Sequence, residues 1–249
     1  HLGSTIPEIR IFSTHFLWSD DMDANKKVMS SSEAIYKDLA KEFKKQDLKL
    51  LEVNTEGWQV WTANKKIRKP ADFKGIKMRV MGSPMLIKQY KEYGANPVQL
   101  AYSEIYSSLQ LGMIDAQVQP IFATQEMKFY EQQKYLIWGK HLPFTTTVVM
   151  NDGFFNSLPE KYQKVVTETS RNMVDYITKV EREFNEKRLE KIKKAKPGIK
   201  TVRLTEEERQ VFKDKVMSFR ESGKYKELIG GENGMKILNK LKKEIKAAE

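Results

Sequence analysis

The chain has 249 residues, carries 44 Lys and Arg against 33 Asp and Glu for a formal charge of +11, and is 40% apolar. With 13 Gly and 8 Pro it is neither collagen-like, low-complexity nor wholly disordered, and its length allows one large domain or two small ones. No apolar stretch approaches the roughly 20 residues of a membrane span; the longest, around Phe144 to Met150, carries three threonines. The absence of cysteine removes disulfides, thiolate metal sites and cysteine nucleophiles together. His1, His15 and His141 lie far apart, without HExxH or HxH spacing, so no histidine metal site is expected.

Residues 21–46 read as a helix, with Ile35, Leu39 and Phe43 at four-residue spacing. Leu48–Val53 and Trp58–Ala63 read as strands. A βα unit follows. Ile76-Lys77-Met78-Arg79-Val80 alternates, Gly82 breaks it, Ser83 is a good N-cap, and Pro84 takes the first helical position of a helix that stops at Gly94. Pro97–Tyr102 reads as a strand, Ser103 caps a short helix ending near Gly112, Met113–Val118 is another strand, and Pro120 opens a helix through Gln132. This βα alternation predicts a parallel or mixed α/β sheet. An extended stretch from Tyr135 to Met150 has the length of a passage between two α/β lobes. A helix then runs from Pro159 to about Ala195, with Tyr162, Val165, Val166, Met173, Tyr176, Ile177, Val180, Phe184, Leu189 and Ile192 as its apolar face. Its length of roughly 55 Å suits a brace across two lobes with that face inward. Thr205 to Glu208 is a capping box, and an amphipathic helix follows Asn233.

Charge is uneven. Residues 1–160 have a net charge of +2 and residues 161–249 a net charge of +9. Nucleic acid or an anionic surface is one reading of such an excess. A solvated helix face is the other, and acids interleaved as in Glu181-Arg182-Glu183 favour it; only Lys191 to Lys200, with five lysines and no acid, is a patch.

No phosphate loop, dinucleotide fingerprint, GxSxG elbow or kinase signature occurs. The trio Asp20, Asp21 and Asp23 sits where a helix begins, as does Glu104, and carboxylates belong there for dipole reasons alone. Arg79 is more informative. It lies at the carboxyl end of a strand beside the helix start at Ser83, the crevice where open α/β sheets bind ligands. A guanidinium with free helical N–H groups forms a carboxylate site; the alternative is a surface arginine on an amphipathic strand, and spacing alone leaves both open.

Taken together, Phe73-Lys74-Gly75-Ile76-Lys77-Met78-Arg79-Val80, Gly94-Ala95-Asn96-Pro97-Val98, Tyr102-Ser103-Glu104-Ile105-Tyr106, Leu109-Gln110-Leu111-Gly112, Asp115-Ala116-Gln117-Val118-Gln119-Pro120 and Lys128-Phe129-Tyr130-Glu131 follow in order over more than half the chain. In these motifs the sequence resembles the extracytoplasmic solute-binding protein of a tripartite ATP-independent periplasmic (TRAP) transporter. The resemblance implies a two-lobed, type II periplasmic-binding-protein-like α/β fold with a long bracing helix. It also implies a periplasmic location, no enzymatic activity, no cofactor, a small organic acid as ligand, TRAP membrane permease subunits as partners, no nucleic acid, and a monomer. Residue by residue, it assigns Arg79 to the ligand carboxylate and Tyr102 to the pocket wall, and Ser83 joins the ligand-binding set at the helix start. Gln119 stands where many members have asparagine, and Gln59 where several have a second arginine, which favours a monocarboxylate with an adjacent hydroxyl, keto or amide group. The expected lobes are residues 1–56 with 143–249, and residues 57–142. Besides Gln59 and Gln119, His15 departs from the family pattern by replacing a proline before Phe16, and since the family has a βαβ stretch ahead of the segment resembling Ile6 to Trp18, the resemblance leads one to expect an N-terminally truncated member. The readings from other classes are a hydrolase or lyase with a convergent acidic site and a basic nucleic-acid binder.

Overall fold

Polar side chains decide where the first helices stop. The computed structural model describes residues 2–249. The helix expected over 21–46 is broken in two, because Ser32 leaves the helical region at φ −59°, ψ 127° and its Oγ accepts the Ile35 N–H at 3.1 Å. Helix α1 is Met22–Ser31, and after a π-helical turn, Ala34–Leu39, comes α2, Ala40–Lys44. Ile35, Leu39 and Phe43 are fully buried, as their spacing predicts.

Strand β1 is Leu48–Trp58 and β2 is Val60–Ala63. Then follow β3, Lys77–Val80; α3, Pro84–Glu92; β4, Asn96–Gln99; α4, Ile105–Gln110; β5, Ala116–Gln119; and α5, Ile121–Glu126. Helix α5 ends well short of Gln132, since Lys128 takes a left-handed φ of 57°. The extended stretch divides into β6, Tyr135–Trp138, and β7, Pro143–Asn151. The rest is α6, Asp152–Ser157; α7, Glu160–Ala195; β8, Lys200–Arg203; α8, Glu206–Arg220; α9, Gly223–Leu228; and α10, Gly231–Ala248. The Thr205–Glu208 capping box forms as read.

Two sheets result. The larger has strand order β4-β3-β5-β2-β6-β8, with β3 parallel to both β4 and β5, β2 antiparallel to β5 and β6, and β8 parallel to β6. The smaller is the antiparallel pair β1 and β7, paired from Leu48↔Asn151 to Trp58↔Pro143 with register shifts between Leu50 and Glu52 and between Thr55 and Trp58. Thus the two long strands leave the larger sheet side by side. Strand β8 lies outside residues 57–142 yet completes the larger sheet's edge, and α8 packs on α3.

Helix α7 packs on β1 and on α5, reaching both sheets' surroundings. Its inward face differs from the one expected. Val174, Thr178, Glu181, Asn185, Arg188 and Ile192, at helical spacing, face the rest of the protein, and of the ten apolar positions only Ile192 is fully buried. Tyr162, Val165, Met173, Tyr176 and Val180 lie on the opposite side, Tyr176 being 62% exposed. Hydrogen bonds at the crossing of α7 over β1 and α5 set the helix's rotation against its own apolar stripe.

Candidate functional site: a cavity around a buried arginine

Strand β3 sits between β4 and β5, so both of its edges are paired, and Arg79 on it is only 2% exposed. Its Nε and Nη2 both donate to the Leu100 carbonyl, at 3.1 and 2.9 Å. Nη1 has no hydrogen-bond partner, and among the described residues no carboxylate pairs with the guanidinium. The side edge of the fork is therefore held by backbone and the Nη1/Nη2 end edge is not. Burial lowers Arg79 to about 10, partly opposed by Tyr102, so it remains a cation at neutral pH.

Arg79 lines a cavity of about 650 Å³ together with Tyr102, Gln119, Phe122, Phe144 and Gln99. Strand β3 delivers the arginine, β5 ends at Gln119, and α5, which begins at Ile121, brings Phe122 beside it. Tyr102 is 40% exposed, with its ring edge against Phe129. Burial raises the Tyr102 phenol, Glu126 and Glu56 add to that, and Arg79 opposes it. A Cβ at Gly82 would come within 2.8 Å of the Gln99 amide, so a larger residue there would displace that side chain. Glu104 borders the cavity, but its carboxylate accepts the Ala101 N–H at 3.0 Å in a first helical turn, where the sequence places it; Ser103, read as the cap, lies inside that turn and caps nothing.

Of the five residues expected to bind ligand, Arg79, Tyr102 and Gln119 meet in this cavity. Gln59 and Ser83 line a second one of about 330 Å³, which shares Met81, Gly82 and Phe144 with the first. Gln59 is buried at the junction of β1 and β2, with its Oε1 unpartnered. Ser83 occupies the N-cap position of α3 without a side-chain cap bond. Sequence reading missed Phe122, Phe144 and Gln99; Gln99 directly follows a quoted motif and Phe122 lies two residues after another, but nothing in the spacing of any of the three marks it.

The histidines lie elsewhere, in a buried aromatic cluster. His141 stacks on Trp61 at 4.3 Å and contacts His15 edge-on at 4.9 Å. His15 Nδ1 is 2.9 Å from the Tyr93 hydroxyl. Burial lowers both, His141 to about 3 with help from Arg209, and His15 well below its ordinary value with help from His141 and Arg220, so both are neutral packing groups. Among the described residues no cluster of His, Asp and Glu side chains has an arrangement that could hold a metal, and no helix is long and apolar enough to cross a membrane.

Residues 1–246 match the family model described as bacterial extracellular solute-binding protein, family 7 (DctP). The chain belongs to that family. The ectoine-binding periplasmic protein TeaA of Halomonas elongata is 34% identical over 99% of this chain and 72% of its own length. The solved structure of that protein, from the TeaABC TRAP transporter, superposes with a TM-score of 0.92 over 99% of this chain and 78% of the other. A TRAP periplasmic solute-binding protein of Desulfovibrio salexigens with bound orotic acid gives a TM-score of 0.90 at 29% identity, covering all of this chain and 78% of the other. The family 7 protein described here thus has the two-lobed α/β fold of TRAP solute-binding proteins, with the long bracing helix, and works outside the cytoplasm as its family does.

Proposed function

We propose that this family 7 protein captures a small monocarboxylic acid at Arg79 and hands it to a TRAP membrane permease, acting as a monomeric binding subunit and not as an enzyme or a nucleic-acid binder. One observation carries the reading: a buried guanidinium whose Nη1 has no partner lines a cavity large enough for a small acid. A buried cation without a counter-charge is costly, and a carboxylate on its end edge supplies both the charge and two hydrogen bonds. Gln119 and Tyr102 then meet a neighbouring hydroxyl, keto or amide group, while Gln59 and Ser83 extend the polar wall past Gly82. The lobes in this reading are residues 57–142 with β8 and α8 on one side, and β1, β7 and the segments packed on them on the other. Closure bends at the crossovers near residues 56 and 143, where β1 and β7 run paired.

A thermal-shift panel tests it, with orotate, ectoine, 2,3-diketo-L-gulonate, D-erythronate, succinate and a DNA duplex, at low and high salt. An acid at about 100 times its Kd should add about 2.7 kcal/mol of stability. Stabilisation by DNA alone, fading steeply with salt, refutes the reading in favour of a nucleic-acid binder. Chemical conversion of an acid on incubation refutes it in favour of an enzyme.

A further inference from the structure

The inward face of α7 is polar at its centre. Between Val174 and Ile192 the residues that turn toward β1 and α5 include Glu181, Asn185 and Arg188, where an ordinary packed helix has apolar side chains. Asn185 uses both ends of its amide. Its Oδ1 accepts the Phe122 N–H of α5 at 3.0 Å. Its Nδ2 donates to the Glu56 carbonyl of β1 at 3.2 Å, and to the Glu181 carboxylate at 2.9 Å.

Helix α5 needs that acceptor. It is preceded by Pro120, which offers no side-chain cap, and Phe122 lies in the first turn, where N–H groups lack helical partners. Asn185 therefore caps α5 from another helix. One turn further along, Arg188 donates to Gln125 Oε1, and Phe184 lies 6.1 Å from Phe122, so the same stretch of α7 grips α5 at both ends. Gly57 makes room for the grip: its φ is +94°, and a Cβ there would stand 2.9 Å from Asn185 Nδ2.

Gln119, Phe122 and Ala123, at the start of α5, form one wall of the Arg79 cavity. We infer that Asn185 is a positioning residue, which never touches the ligand but fixes the α5 wall of the cavity to the β1 crossover through one amide. The assignment of that wall to ligand binding rests on the function proposed above; the three-way tie itself does not.

Three full-length proteins test this: wild type, Asn185→Leu, which keeps the volume without polar atoms, and Asn185→Asp, which keeps an acceptor for the Phe122 N–H. Each is titrated calorimetrically with orotate and with ectoine, and amide hydrogen exchange is followed over residues 119–126 without any acid. Asn185→Leu should weaken binding on the order of tenfold, the scale of two lost hydrogen bonds, and speed exchange across α5. Asn185→Asp should recover most of the exchange protection and part of the affinity. A purely packing role predicts the reverse order, with Leu the milder change, and that order overturns the inference, as does unchanged affinity in both variants. If Asn185→Leu does not fold, Asn185→Ala takes its place with the same expectations. If wild type binds neither acid, the proposed function loses its support, and the exchange data alone then decide: unaltered α5 exchange in the Leu or Ala variant overturns the tie, and faster exchange confined to α5 and the Glu56 crossover upholds it.

Discussion

Among the described residues, Arg79 and Arg209 are buried, at 2% and 5% exposure, and their surroundings differ in one respect. Each turns its Nε to a backbone carbonyl, Leu100 for Arg79 and Gly139 for Arg209. The Nη1/Nη2 edge of Arg209 is filled by the Asp20 carboxylate, and Nη1 also meets Glu206 at 2.5 Å. The same edge of Arg79 has no carboxylate from the protein among the described residues. Arg209 is thus a staple, joining α8 to the loop before α1 and to the turn after β6. Arg79 is held in the same way by backbone, but its Nη1 has no partner; in the function proposed above that edge takes the ligand's carboxylate, and the cost of an uncompensated buried cation favours an anion there.

The comparison breaks most directly by removing each arginine. Arg79→Ala should cost on the order of 3 kcal/mol of affinity for the best acid of the panel, roughly 100-fold, while folding stability changes by less than about 1 kcal/mol because no protein carboxylate is left behind. Arg79→Lys should bind nearly as poorly, since an ammonium cannot supply the planar fork. Calorimetric titration reads the first effect and urea unfolding the second. Unchanged affinity in Arg79→Ala removes the basis for the site.

Arg209→Ala should show the opposite profile. It strands Asp20 and Glu206, but their side chains are 40% and 58% exposed, so water recovers part of the loss and about 2 kcal/mol of stability is expected to go. Affinity, measured on the folded fraction, should hold within about twofold. A variant that loses affinity and keeps stability inverts the assignment of the two roles.

Acid separates the regions in a third way. His15 and His141 are lowered in the folded protein, so between about pH 6.5 and 5 each takes up a proton only on unfolding, and stability falls as pH falls. Glu181 works against them. Burial, with Glu56 nearby, raises it to about 7, so it holds a proton in the folded state that the unfolded chain releases, and its share of stability grows as pH falls over the same window. Glu181→Gln should therefore make the protein more acid-labile than wild type, by up to about 1 kcal/mol per pH unit after allowing for its partial exposure. Urea midpoints at pH 6.5 and 5.5 give the difference, and a variant no steeper than wild type contradicts it. Over that range Arg79, lowered only to about 10, stays charged, so its contribution to affinity should be flat.

How much of this was written in the sequence depends on the range of the interaction. The unit from β3 through Gly82, Ser83 and Pro84 to Gly94 is local turn and cap chemistry, and its strand, helix start and glycine stop form as read, with Ser83 at the N-cap position though without a side-chain cap bond, and Arg79 where the strand's carboxyl end meets a helix start. The Thr205 box is local in the same sense. The break at Ser32 was also local, but an apolar spacing that continues across it concealed it. What escaped is long-range. The rotation of α7 is set by bonds from Asn185 and Arg188 to residues about sixty to 130 positions away. Nothing in the helix's own pattern distinguishes those two from solvated side chains, and a stripe of ten apolar residues pointed to the other face. Asp20 was readable as an acid near a helix start, but its pairing with Arg209, 189 positions on, was not. Likewise, the division of the five expected ligand residues between two adjoining cavities depends on how β1, β7 and α3 meet.

The smallest effect concerns those two cavities. A dicarboxylate anchored at Arg79 and reaching past Gly82 sets its second carboxylate near Gln59, whose Oε1 is buried without a partner. The Gln59 amide can donate through Nε2 but carries no charge, so a second carboxylate is desolvated there without a counter-charge, whereas a neutral hydroxyl or amide group incurs no such cost. Wild type should therefore prefer orotate to succinate, and Gln59→Arg should narrow that preference by about fivefold, the scale of a partly screened charge contact near 1 kcal/mol. The added cation lies where the native side chain is 2% exposed, so a fall in stability of about 1 to 2 kcal/mol should accompany the change. Paired titrations of both acids into both proteins measure the ratio, in which any general loosening of the cleft cancels. A ratio that stays put while stability falls would show that a ligand seated on Arg79 does not reach the second cavity, and would confine binding to the space between Tyr102, Gln119 and Phe122.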